Sequence, residues 1–99
     1  MRVLALALPG AEEGTSYGTP AFKVRGKLFV RQHDNREWLV VKMNETERAM
    51  RLRADPAAFF ITDHYAAHPW VLVRLEAVSR DDLAEVLAEA CRLAAAGKR

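Results

Sequence analysis

The sequence predicts a two-layer α+β domain, a mostly antiparallel sheet with helices on one face, in the order α-β-β-β-α-(β)-β-α. Three observations predict it. Strand-like runs at residues 20–25, 27–33 and 37–43 follow one another across turn-length breaks, which implies hairpins and antiparallel pairing. Segments of helical character stand at the chain start, after Asn44 and after Ser79. A further strand-like run, residues 70–77, lies between the last two of these.

In chain order, Val3-Leu-Ala-Leu-Ala-Leu8 reads as a short helix stopped by Pro9-Gly10. One or two turns do not hold alone in water, so this helix must lean on the rest of the domain. Residues 11–18 read as a polar loop. Arg25-Gly26 suits a tight hairpin between the first two strands, and Asp34-Asn35-Arg36 a second turn. Asn44 is a helix cap, with Glu47 three residues on as in a capping box, and the helix runs to about Ala54. Asp55-Pro56 restarts or bends the chain. Residues 59–62 form a short buried segment, strand or helical turn, and residues 63–69 a loop. Ser79 with Asp82 opens the last helix, where Leu83, Val86, Leu87, Ala90, Cys91 and Ala94 follow helical spacing.

Composition bounds the function. The 99 residues suit a single domain, residues 1–99, long enough to bury roughly two-thirds of its unfolded surface around one core. With 51% hydrophobic and 28% charged residues the chain is ordinary globular material. Cys91 is its one cysteine, so no intramolecular disulfide forms, and a lone thiol on an apolar helix stripe reads as a small buried hydrophobe in a reducing, cytoplasmic setting. The apolar run at residues 3–8 is too short to span a bilayer and lacks a signal-peptide pattern, so no membrane partner is expected. A formal charge of +2 does not by itself imply nucleic acid.

Alternation sorts the strands into two faces. Phe22, Val24, Leu28, Val30, Leu39, Val41, Met43, Val71, Val73 and Leu75 make an apolar face for the helices. The other carries the cations Lys23, Arg25, Lys27, Arg31, Lys42 and Arg74, with Phe29, Trp38, Val40, Trp70 and Leu72. Two readings of it stay open. Long Lys and Arg stems cover aromatic rings on many solvated sheets. Cations for phosphates with rings for bases or sugars also describe a nucleic-acid surface, on Lys23, Arg25, Lys27, Phe29, Arg31, Trp38, Lys42 and Arg74.

The densest chemical cluster is His64-Tyr65-Ala66-Ala67-His68-Pro69-Trp70. Two histidines four apart ligate a metal on a helix, but Pro69 argues for a loop and no second Cys or His group completes a site. No metal or cofactor is expected. Thr15, Ser16 and Tyr17 lack the base and orienting acid of a nucleophile, and Gly10, Gly14 and Gly18 lack the strand-then-helix context of a phosphate loop. No catalytic residue is assigned.

Leu6-Ala-Leu-Pro-Gly-Ala-Glu-Glu-Gly-Thr-Ser-Tyr-Gly-Thr-Pro-Ala-Phe-Lys-Val-Arg-Gly-Lys-Leu-Phe29 resembles the MmcQ/YjbR family, as does Phe60-Ile-Thr-Asp-His-Tyr-Ala-Ala-His-Pro-Trp-Val-Leu-Val-Arg-Leu75. The resemblance implies a two-layer fold of secretion-chaperone-like architecture. It also implies the DNA-binding "double wing" of hairpins commonly ascribed to the family, and no family-wide enzymatic activity. Family members carry a longer first helix, so a shortened one is expected to leave part of the apolar sheet face less covered and to favour pairing with another copy. Thr15, Ser16, Tyr17, Phe22, Lys23 and the 64–70 loop are expected to abut the exposed sheet face.

The leading expectation is therefore a non-enzymatic domain that binds DNA weakly and without sequence preference. Its rivals are a protein-interaction module and a small-ligand site on Thr15, Ser16, Tyr17, His64, Tyr65, His68 and Trp70.

Overall fold

The computed structural model describes residues 1–16, 18–35 and 37–96. Helix α1 (Arg2–Leu6) leads into strands β1 (Ala11–Ser16), β2 (Thr19–Val24), β3 (Lys27–Gln32) and β4 (Trp38–Lys42). Helix α2 (Glu45–Ala54), the two-residue strand β5 (Phe59–Phe60), a 3-10 turn (Asp63–Tyr65), strand β6 (Trp70–Arg74) and helix α3 (Arg80–Ala96) complete the order. All pairings are antiparallel, in the sheet order β1-β2-β3-β4-β6-β5.

Local chemistry sets the turns and caps. Arg25 (φ 53°) and Gly26 (φ 77°) both take positive φ, the requirement of the two-residue hairpin turn that matches strand twist. The Arg25 guanidinium then donates to the carbonyl of Ala95, at the end of α3 where a cation is favoured. Asn35 Oδ1 accepts from the amides of Glu37 (2.9 Å) and Trp38 (3.2 Å) and shapes the β3–β4 turn. Asn44 caps α2 by accepting from the Glu47 amide at 2.8 Å, and Ser79 Oγ accepts from the Asp82 amide at 3.0 Å.

The core lies between the sheet and α3, which crosses β2, β3 and β4. Leu83, Val86, Leu87, Ala90, Cys91 and Ala94 of α3 pack on Phe22, Val30, Leu39, Val41, Val71 and Val73 of the sheet, with Phe59 and Met43. Leu75 is half-buried against this cluster. The apolar sheet face, part of which a short α1 was expected to leave less covered, has Phe22 and Val30 inaccessible to solvent within one chain. The seventeen residues of α3 supply that cover.

Two expectations are corrected. Residues 11–16 are not a loop but an edge strand, exposed along most of its length, so it carries no apolar alternation to betray it. The alternation assumed for β3 is also interrupted. Phe22 pairs with Val30 but Lys23 pairs with Leu28, so β3 holds one extra residue, Phe29. At this bulge Phe29 and Val30 both reach the core. Leu28, expected in the core, turns to the outer face opposite Lys23, and Lys27 pairs with Val24 on the helix side. Phe29 and Lys27 thus leave the basic-aromatic face.

Phe29→Ala should therefore lower stability by about 3–5 kcal/mol, as for other buried aromatic truncations. Lys23→Ala should stay within about 0.5 kcal/mol. Urea denaturation of the two variants checks both. Equal, small effects would place Phe29 on the surface after all.

Candidate functional site

The outer face of the sheet is not an open basic surface. Its middle row runs Gly14, Ala21, Arg31, Val40, Leu72 and Phe60 across β1, β2, β3, β4, β6 and β5. Ala21 and Leu72 are fully buried there, and Val40 nearly so, although α3 lies on the opposite side. The 61–69 segment, which joins β5 to β6, faces Arg31 and Val40 of this row.

Arg48 holds that segment in place. It points inward from α2 and is 8% exposed. Its Nη1 donates to the carbonyls of Tyr65 (3.1 Å), His68 (2.6 Å) and Trp70 (3.0 Å), and its Nη2 to that of Ala66 (2.9 Å). One rigid guanidinium fork thus adds donors to four main-chain acceptors of a loop whose own backbone hydrogen bonds are short-range turns. The Met43 amide, donating to the Pro69 carbonyl at 2.9 Å, ties the same loop to the end of β4.

Between loop and sheet lies a cleft of about 510 Å³. Leu28, Val40 and Trp70 give it apolar walls, and Arg31, Asp34, His64, Tyr65 and His68 its polar groups. Arg31 is the buried cation of the set, 9% exposed. Its guanidinium donates to Tyr65 Oη and to the Gln32 carbonyl, each at 3.2 Å, and pairs with Asp34 at 3.7 Å. The His64 ring stands edge-on to the Tyr65 ring, centroids 4.7 Å apart. Lys42 lies 5.2 Å over the Trp70 ring, from the neighbouring position on β4.

The eight residues expected to contact nucleic acid do not share one open surface. Phe29 is in the core and Lys27 on the helix side. Arg31 lies beneath Tyr65. Arg74 sits 3.9 Å over the Phe60 ring and donates to the carbonyls of Pro56 and Ala57. Trp38 is wedged between His33 (5.0 Å) and Phe60 (4.8 Å). Lys42 packs on Trp70, as described. Lys23 and Arg25 remain exposed on the β2–β3 hairpin, Lys23 opposite Glu12 of β1.

The expected ligand-loop residues divide in the same way. His64, Tyr65, His68 and Trp70 come together at the cleft. Thr15 is exposed on edge strand β1, and the Ser16 carbonyl accepts from Thr19 Oγ1 at 2.8 Å. Tyr17 lies outside the described residues. Phe22, expected near the outer face, is buried on the helix side.

Sequence reasoning missed Leu28, Asp34 and Val40 in the cleft, and above all Arg48. The signal for Arg48 was the lack of an apolar stripe in α2. Arg48, Arg51 and Leu52 occupy the spacing that faces inward, so two arginines stand where a core helix carries aliphatics. Arg51 serves the other flank, pairing with Glu85 of α3 at 2.5 Å and stacking 5.5 Å over Phe59.

Among the described residues no three His, Cys, Asp or Glu side chains converge as metal ligands. Burial pushes the Cys91 thiol above its ordinary value, which disfavours the thiolate a nucleophile needs. No described helix is long and apolar enough to cross a membrane.

Fold and cleft define a small α+β domain in which a loop covers one sheet face. The YjbR family model matches residues 6–93, and the chain belongs to that family. The crystal structure of the Deinococcus radiodurans protein DR2400, which carries the DUF419 domain, is similar to it with a TM-score of 0.76. The match covers 90% of this chain and 71% of that one at 21% identity, a likeness of fold. No curated protein matches the chain.

Two outcomes follow from this geometry. Arg48→Met removes the guanidinium's four hydrogen bonds to the loop and should cost about 1–3 kcal/mol in urea denaturation, with Arg48→Lys recovering only part, because an ammonium cannot span four acceptors as a planar fork does. Full recovery by Lys would mean that charge alone matters at this position. Separately, Cys91 should resist iodoacetamide in the native state at pH 8 and react once the chain is unfolded in urea. Rapid native labelling would contradict its burial.

Proposed function

We propose that this YjbR-family domain is a binding protein, not a catalyst, and that its ligand site is the cleft between the 61–69 loop and the outer sheet face. The observation that supports this reading is the make-up of the cleft. Apolar walls from Leu28, Val40 and Trp70 meet a few converging polar tips, those of Arg31, His64, Tyr65 and His68. Its volume of about 510 Å³ falls within the usual range for small-molecule sites. A single buried thiol suits a reducing compartment, in keeping with a cytoplasmic setting.

The experiment is a fragment screen followed by amide chemical-shift mapping on the full chain. Hits should displace the resonances of Val40, Tyr65, His68 and Trp70 together. Hits confined to other surfaces would remove the cleft from consideration.

One observation favours a second reading, DNA binding. Lys23 and Arg25 stand exposed on the β2–β3 hairpin, away from the loop that covers Arg31. A hairpin offering only such cations would grip phosphates without reading bases, so binding would be weak, indifferent to sequence and steep in salt. Lys23→Gln with Arg25→Gln should then flatten the log–log salt slope on duplex DNA by about 0.9 per lost contact. Arg31→Lys should leave that slope unchanged. Absence of wild-type binding near about 50 mM salt would end this reading.

A further inference from the structure

We infer that the cleft takes a small organic carboxylate with a flat apolar body, an aryl or heteroaryl acid in chemical class; the inference rests on the cleft being the ligand site.

Charge is the first argument. Arg31 on the floor is a cation that faces Asp34, the one acid among the described lining residues, and His64 and His68 at the rim add ring nitrogens. Asp34 stands 3.7 Å from the Arg31 guanidinium with its side chain 73% exposed, so water screens it and an incoming carboxylate can compete for the same fork. Tyr65 Oη and the Gln32 carbonyl hold the guanidinium in position and add no charge. A planar cation so fixed at the floor attracts a carboxylate that displaces Asp34 from it.

The loop supplies the second argument. The carbonyls of Tyr65, Ala66, His68 and Trp70 are all engaged by Arg48, which lines a separate hollow beside Pro69 and not the cleft. The negative ends of those peptide dipoles are therefore directed away from the cleft. What the loop presents to a ligand is imidazole and phenol, and what the ligand must bring is acceptors.

The third argument is shape. Leu28, Val40 and Trp70 form apolar walls that a hydrated inorganic anion would leave unfilled. A ring against them, with its carboxylate on Arg31, satisfies both halves of the cleft.

The test titrates the full chain with 1-naphthoate, its neutral isostere 1-naphthamide, and 1-naphthyl phosphate, following the Trp70 and Tyr65 resonances. Naphthoate should bind at the cleft about tenfold or more tighter than naphthamide, the worth of one charge-assisted contact. Arg31→Lys should erase most of that preference. Because Arg31 is buried and its variants risk unfolding, His64→Gln with His68→Gln serves as the second variant. Both residues are exposed, and the pair should weaken naphthoate several-fold more than naphthamide. Equal binding of naphthoate and naphthamide at the cleft would overturn the carboxylate inference and leave the cleft standing. Naphthyl phosphate binding tenfold tighter than naphthoate would overturn it in favour of a phosphate ester. If none of the three moved the cleft resonances at millimolar concentration, the inference and the cleft reading would fall together.

Discussion

The four hydrogen bonds of the Arg48 guanidinium govern the outer half of this structure. A buried cation is costly unless its donors are met, and buried carbonyls are costly unless their lone pairs are met. Here each need meets the other: a helix that lacks an apolar stripe supplies the fork, and a loop that lacks regular pairing supplies the acceptors. The loop that results is a wall. It faces Arg31 and Val40 and forms the far side of the cleft.

The bulge at Phe29 is the complementary constraint on the sheet side. By placing Phe29 and Val30 both in the core, it turns Leu28 outward and keeps Arg31 opposite Ala21 and Val40. An unbroken alternation counted back from Val30 would have put Leu28 beneath α3 and Phe29 on the outer face, leaving the floor with a ring where it now has an aliphatic wall. Cleft chemistry and core packing are therefore set by the same extra residue, and bulges commonly re-aim side chains beside functional sites in this way.

These two features also mark where the sequence was legible and where it was not. Periodicity was enough for α3, because six inward positions repeat without interruption, and for β4 and β6, which pair without a shift. Asn44 and the Arg25-Gly26 turn were legible because their chemistry is local. Strand β1 was not, since an edge strand exposed along most of its length has no reason to alternate. The cleft was half legible. The 64–70 segment stood out by its density of rings and imidazoles, but its partners on the sheet depended on a bulge that no residue type announces. Arg48 was illegible for a different reason: an arginine in a short polar helix looks solvated until the acceptors, seventeen to twenty-two residues further along the chain, are known.

The account rests on the 61–69 loop being a fixed wall and not a mobile flap. Native-state amide hydrogen exchange on the wild-type chain tests this directly, because the Tyr65, His68 and Trp70 amides donate to the carbonyls of Thr62, Tyr65 and His68 inside the segment that Arg48 clamps. The account predicts that these three amides are protected well above free-peptide rates and open together, as one cooperative unit. Exchange of all three at the rate of an unstructured chain, with β4 and β6 still protected, would contradict it.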